Sequence, residues 1–269
     1  MLYIVATPIG NLKDFTYRAV ECLKTCDLIL CEDTRTTQVL LKEYQIHTKL
    51  AAWHKFNEKK QLNPLIRQLK EGKNIALVSD AGMPLISDPG FILVQTCQKE
   101  NISYTCLPGP SSILNALVLS GMDPARFQFI GFLPKKQAEK IKTIHSILLY
   151  PGLTICFESA NRLIESLKVI HDLDSQRTIS ITREMTKKFE EIKTNTAINL
   201  IEHFTQNPCK GEITIVVQAS VNYIPDISAQ ELIDLLQKYH GCSVKEAIKI
   251  SAKLLNKRKN EIYQKHHSK

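Results

Sequence analysis

The chain has 269 residues, with 35 Lys or Arg, 27 Asp or Glu, 8 Cys and a formal net charge of +8. A hydrophobic fraction of 43% with 23% charged residues can fill a core, which excludes a disordered chain, a collagen-like fibre and a small disulfide scaffold. That length predicts one large domain or two ordinary ones.

Met1-Leu-Tyr-Ile-Val5 reads as a strand, not as the charged and then apolar run of a signal peptide. No stretch approaches the ~18 apolar residues of a membrane span, so the expectation is a reduced cytoplasmic protein with no membrane contact. None of Cys22, Cys26, Cys31, Cys97, Cys106, Cys156, Cys209 and Cys242 pairs at CxxC spacing. Most sit in apolar runs, where they are expected to be small buried hydrophobes without a metal.

In chain order, short apolar runs predict strands at 2–7, 28–31, 74–78, 104–107, 129–132, 154–157, 178–182 and 212–217. Amphipathic stretches predict helices among them, at 16–25, 62–71, 112–119, 161–171 and 197–204. In the second of these, Leu62, Leu65, Ile66 and Leu69 recur at spacings of three and four and so share one helical face. Strand–helix alternation argues for α/β layers. Breaks at Gly121-Met-Asp-Pro124 and at Pro225 suggest an N-terminal α/β domain over 1–121, a second α/β domain over 122–221 and a basic helical appendix over 222–269. Its expected helices at 229–239, 245–255 and 259–265 suit a helix-turn-helix-like module. Between 241 and 269, Lys245, Lys249, Lys253, Lys257, Arg258, Lys259, Lys265 and Lys269 face only Glu246 and Glu261, so six of the eight net charges lie there, with His266 and His267 beside them. A solvated helix face and a phosphate-contacting surface both fit this charge.

Three loops combine a strand end with a helix start, the place where open α/β sheets bind ligands. The first, Thr7-Pro8-Ile9-Gly10-Asn11-Leu12, lacks both GxGxxG and the Gly-Lys-Ser/Thr ending of a phosphate cradle. The second, 79–90, packs two Gly, two Pro, two Asp and two Ser into SDAGMPLISDPG. Asp80 there is placed to accept hydrogen bonds from a ribose or an amino group, while turn and helix capping by Asp80 and Asp88 is the structural alternative. The third, Leu107-Pro-Gly-Pro-Ser111-Ser112, offers an N-cap and free N–H groups for a carboxylate. Glu32, Asp33 and Arg35 follow another strand and suit acid–base work or a substrate clamp, or else a helix cap with a local ion pair. His54, Asn57 and Glu58 form a further polar cluster beside the single Trp53.

Taken in order, TPIGNLKD at 7–14, CEDTR at 31–35, HKFNE at 54–58, SDAGMPLISDPG at 79–90, LPGPSS at 107–112, GFLP at 131–134, FESANRL at 157–163, TREMTKKFE at 182–190 and KGE at 210–212 resemble the tetrapyrrole-methylase superfamily of S-adenosylmethionine-dependent enzymes. The likeness is strongest to its ribosomal RNA (cytidine-2′-O)-methyltransferase branch and spans residues 1–220. It implies a bilobal fold of two α/β domains with the cofactor cleft between them, a small C-terminal helical domain and a homodimer. It further implies S-adenosylmethionine as cofactor, with Pro8, Gly10, Asp80, Met83, Ser111, Ser112, Phe157, Met185, Gly211 and Glu212 as its contacts. The implied substrate is the ribose 2′-hydroxyl of a decoding-region cytidine in 16S rRNA, free or in the 30S subunit. Glu32, Asp33 and His54 are candidates for the general base, with Arg35 orienting a phosphate or ribose; no metal is required. The sequence departs from the family pattern at Met83, where Thr is usual, at Ala160-Asn161 for Pro-His, and at His54-Lys-Phe-Asn-Glu58 for His-Glu-His-Asn-Glu. A tetrapyrrole-precursor C-methyltransferase and a non-enzymatic nucleic-acid-binding module are the competing readings. The first leaves CEDTR, the SDAG…SDPG loop and the basic tail without a role, and the second predicts no cofactor binding.

Overall fold

The structure, a computed structural model, describes residues 1–219, 228–255 and 257–262. The chain divides into two compact units: residues 1–115 with 184–190, and residues 116–183 with the chain from 191 onward.

In the first unit five strands, β1 (Leu2–Val5), β2 (Leu28–Cys31), β3 (Leu50–Ala52), β4 (Ile75–Val78) and β5 (Tyr104–Leu107), form a sheet in the order β3-β2-β4-β1-β5. Every pairing is parallel. Such a sheet is covered on both faces, which explains its unbroken apolar runs. Ile29, Cys31, Ala76 and Val78 join one core with Ala19 and Leu23 of α1 (Tyr17–Thr25) and Leu40 and Leu41 of α2 (Thr34–Glu43). Their chain neighbours Leu28, Leu30, Ile75 and Leu77 join the other, with Leu65, Ile66 and Leu69 of α3 (Glu58–Lys70) and Leu93 of α4 (Phe91–Lys99). The alternation is the period of two of a strand. Each fully buried Leu or Ile contributes about 1.5–3 kcal/mol. Helix α5 (Ser112–Leu119) follows β5.

The second unit carries β6 (Phe127–Phe132), α6 (Gln137–Leu149), β7 (Leu153–Ser159), α7 (Leu163–Leu173), β8 (Thr178–Arg183), β9 (Glu191–Thr196), α8 (Ala197–Gln206) and β10 (Glu212–Val217). Its sheet order is β6-β7-β10-β8-β9, with β6–β7 parallel and the other pairings antiparallel. Ile144, Leu148, Leu163, Leu167, Leu200 and Phe204 of the helices pack on Cys156, Ile179, Ile181, Ile213 and Ile215 of the sheet. Two C-terminal helices, α9 (Ala229–His240) and α10 (Val244–Leu254), each start in a capping box, Ser228 with Glu231 and Ser243 with Glu246. Gly241 ends α9 at φ +61°, a left-handed cap that a side chain would resist. Leu232, Ile233, Leu236, Ala247, Ile248 and Ile262 form their core, with Leu149 of α6 packed against it. The expected third helix is helical at 259–262. Its remainder, Lys265, His266, His267, Lys269 and the break at Pro225 lie outside the described residues.

Among the described residues no helix is long and apolar enough to cross a membrane. All eight cysteines are free; Cys26, Cys31, Cys97 and Cys156 are buried as expected, whereas Cys106 is exposed on the edge strand β5.

Candidate active site

Because the first sheet is wholly parallel, all five strands end at the same edge, and every loop singled out in residues 1–115 leaves from it. These loops are bonded to one another. Thr7 and Gly82 exchange backbone hydrogen bonds of 2.9 and 3.0 Å, and the Thr7 hydroxyl donates to the Ser79 carbonyl at 3.0 Å. Ser79 Oγ donates to the Gly82 carbonyl at 2.7 Å. Gly82 has φ +78°, and a Cβ there would stand 3.3 Å from Ile9 Cγ2 and 3.8 Å from the Pro110 carbonyl oxygen. A Cβ on Gly109 would stand 2.8 Å from Ala6 Cβ. Glycine is therefore what lets the first, second and third loops close on each other.

The second loop is strained. Leu85 and Ser87 hold φ of 71° and 72°, values that non-glycine residues adopt at a cost and that cluster at functional sites. Asp80 Oδ1 accepts the Asp33 N–H at 3.1 Å, tying this loop to the end of β2. Burial pushes the Asp80 carboxyl upward, and the Asp33 charge adds to the shift. Asp88, half-buried, is pushed up to about 6, first by burial and then by the neighbouring Glu32 and Asp80 charges, with Lys55 opposing. Thus the Glu32 and Asp80 charges act together on Asp88, and the Lys55 charge partly offsets them there.

Asp33 and Arg35 serve each other. Asp33 is the N-cap of α2, accepting the Arg35 N–H at 2.9 Å, and its carboxylate grips the guanidinium through Nε at 3.0 Å and Nη2 at 2.6 Å. Arg35 accordingly holds the Asp33 carboxyl at about 2. The local cap and ion pair foreseen as the alternative for CEDTR are present. Beyond β3, Trp53 donates its backbone N–H to Cys31 at 2.7 Å, so His54 follows directly on the neighbour of Glu32. The His54 N–H donates to Asn57 Oδ1 at 2.8 Å, and Asn57 Nδ2 donates to the Ala52 carbonyl at 2.9 Å. His54 Nδ1 is buried without a hydrogen-bond partner in the chain.

Of the cofactor candidates, Pro8, Gly10, Asp80, Met83, Ser111, Ser112 and Met185 lie in the first unit, and Phe157, Gly211 and Glu212 in the second. Gly10 is exposed and abuts residues 184–190: a Cβ there would meet Lys187 Cγ at 2.5 Å and the Met185 carbonyl oxygen at 3.0 Å. Met83, the departure from Thr, rests its sulfur 3.5 Å from Cys106 Sγ. Ser111 Oγ accepts the Leu114 N–H at the start of α5, at a long 3.4 Å. Phe157 lies on β7, edge-on to Phe129 and Phe132; Gly211, at φ +92°, leads into β10, which Glu212 begins. In the sequence Asp88 stands only as a cap beside Asp80 in a loop read as functional; its raised pKa depends on burial and on the Glu32 charge, which the fold supplies.

A groove of about 430 Å³ lies at the other end of the sheet, lined by Asp27, Lys49 and Lys73 ahead of β2, β3 and β4. Open α/β sheets carry their ligands outside the carboxyl ends of the strands instead.

The chain belongs to the tetrapyrrole (corrin/porphyrin) methylase family, whose sequence profile matches residues 1–200. Among its relatives is the ribosomal RNA small subunit methyltransferase I of Buchnera aphidicola subsp. Schizaphis graminum, 41% identical over 269 residues, covering 98% of this chain and 94% of the relative. The protein of the same name from Bacillus subtilis is 40% identical over 276 residues, covering 100% and 94%. The fold also matches a crystal structure of diphthine synthase with a TM-score of 0.63 at 14% identity, over 81% of this chain and 89% of that one.

Proposed function

We propose that the chain transfers a methyl group from S-adenosylmethionine to the ribose 2′-hydroxyl of a decoding-region cytidine in 16S rRNA. The observation that carries this reading is the loop edge of the parallel sheet, in a chain about 40% identical over its full length to proteins named ribosomal RNA small subunit methyltransferase I.

The residues present fit the cofactor. Its ribose hydroxyls and ammonium call for a carboxylate, and Asp80 provides one at a strand end. Its carboxylate calls for N–H donors, and the start of α5 at Ser111-Ser112 has them. Gly82 and Gly109 keep these loops within reach of one another, with Pro8, Gly10, Met83 and Met185 as further contacts. For Phe157, Gly211 and Glu212 the family resemblance alone supports a contact.

The bound cofactor supplies an already activated methyl group. The chain's task is alignment, which can supply much of the acceleration, and removal of a proton from a weakly acidic hydroxyl. A carboxylate whose pKa lies near the working pH is the better acceptor. On that criterion Asp88, which feels the Glu32 and Asp80 charges, takes the proton, while Asp33 is a poor base and orients Arg35.

The exposed Lys245, Lys249 and Lys253, spaced at four along α10, and the exposed Lys257, Arg258 and Lys259 support phosphate contact with rRNA. Leu114 and Val118, exposed four apart on α5, support a homodimer. The reading implies work in the cytoplasm, where ribosomal subunits are.

The test is incubation with labelled S-adenosylmethionine and 30S subunits lacking the modification, followed by mapping of ribose methylation. Label at one decoding-region cytidine is expected. Label on a porphyrin precursor with rRNA untouched would overturn the proposal.

A further inference from the structure

The turn between β3 and α3 presents Phe56 at 98% exposure, higher than any other large apolar side chain among the described residues. A single exposed apolar residue is ordinary. This one differs in its setting. Its turn is tied down: Asn57 bridges the His54 N–H and the Ala52 carbonyl, and the Asn57 and Glu58 N–H groups donate to the His54 carbonyl at 2.9 and 3.0 Å. The His54 ring meets Phe56 edge-on, with centroids 6.0 Å apart. Lys55, Lys59 and Lys60 are exposed around it, and Glu58 is half-buried at the first turn of α3. The turn follows β3 and the Asp88 loop follows β4, so both leave the same edge of the parallel sheet, and the Lys55 charge acts on Asp88. A turn whose backbone is already hydrogen-bonded has less freedom to lose when its ring is covered, and nearby cations attract a polyanion.

We infer that this turn is a single-stranded RNA subsite, in which Phe56 stacks on an unpaired base and Lys55, Lys59 and Lys60 contact the flanking phosphates. An aromatic platform in a basic setting is how proteins hold single strands, because every base offers a π-face. The inference rests on the rRNA reading above and adds to it a place for a nucleotide next to the methylated one.

The test uses the full chain and undermethylated 30S subunits. Single-turnover methyl transfer is followed against subunit concentration for wild type, Phe56→Ala, Phe56→Leu, Phe56→Tyr and the Lys59→Ala/Lys60→Ala pair. Phe56→Ala is expected to raise the half-saturating concentration about tenfold, with the maximal rate and calorimetric S-adenosylmethionine affinity unchanged. Phe56→Leu should match Ala, and Phe56→Tyr should match wild type. The lysine pair should weaken binding at low salt and matter less as salt rises. An unaffected Phe56→Ala overturns the inference, as does a Leu variant equal to wild type, which would mark a generic apolar contact with a protein or a second copy. If the wild-type chain itself transfers no methyl group to rRNA, the proposed function fails and the inference falls with it. Since Phe56 is exposed, none of these substitutions disturbs the core.

Discussion

The loop edge of the first sheet and the C-terminal helices are built on opposite plans. The loop edge gathers Glu32, Asp33, Asp80 and Asp88, holds Leu85 and Ser87 at positive φ, and leaves His54 Nδ1 unsatisfied. Helices α9 and α10 satisfy their termini with two capping boxes, bury their own apolar stripe and turn lysines outward. One region spends stability on like charges and strained backbone; the other is locally relaxed and basic. On the proposed function, the difference separates chemistry from attraction. Carboxylates with perturbed protonation suit proton transfer, whereas capped helices with exposed lysines suit contact with phosphate.

The contrast can be broken at several points. The largest effect is expected at Gly90, the N-cap of α4. Its φ is +132°, and a Cβ would stand 2.6 Å from Leu77 Cδ2 in the core. Gly90→Ala should cost about 2–4 kcal/mol through strain and overpacking, read as a shift in urea midpoint. An unchanged midpoint would mean the loop is not held as described.

Next is the basic stripe. Replacing Lys245, Lys249 and Lys253 by Gln should weaken low-salt rRNA binding on the order of tenfold and flatten its salt dependence. Cofactor affinity should stay as in wild type. Equal binding at every salt concentration would move the attraction elsewhere.

The smallest effect is on stability, and its sign is opposite to that of a lost interaction. Asp88 titrates at about 6 in the folded chain, above its ordinary 3.8. Its contribution to stability is present below about pH 4 and lost as the pH rises through about 6, where the folded chain must carry the charge. Asp88→Asn should therefore stabilise above that pH by about 1 kcal/mol, allowing for partial exposure, and do nothing near pH 4. Thermal melts at both pH values check this.

Much of the architecture was legible because most strands carry clustered or alternating apolar residues, and eight of the ten strands among the described residues announce themselves so. The other two are edge strands. β3 has only three residues, and β9, Glu-Ile-Lys-Thr-Asn-Thr, is mostly exposed with one apolar side chain, so neither carries a burial pattern. Helix α6 was not assigned, although Ile144, Ile147 and Leu148 bury one face of it. The cap at Asp33 was legible because capping is local. The raised pKa of Asp88 was not, because it comes first from burial and then from the Glu32 charge after another strand, and only the fold supplies both.

The most direct test of the account is the pH dependence of single-turnover methyl transfer to undermethylated 30S subunits by wild type and Asp88→Asn. If Asp88 accepts the proton, the wild-type rate climbs as the pH rises through about 6 and levels off. The Asn variant should then lose about 10²- to 10⁴-fold in rate, bind S-adenosylmethionine normally and show no inflection there. A variant that keeps both the wild-type rate and the inflection would contradict the assignment of the loop edge as the place where the proton is removed.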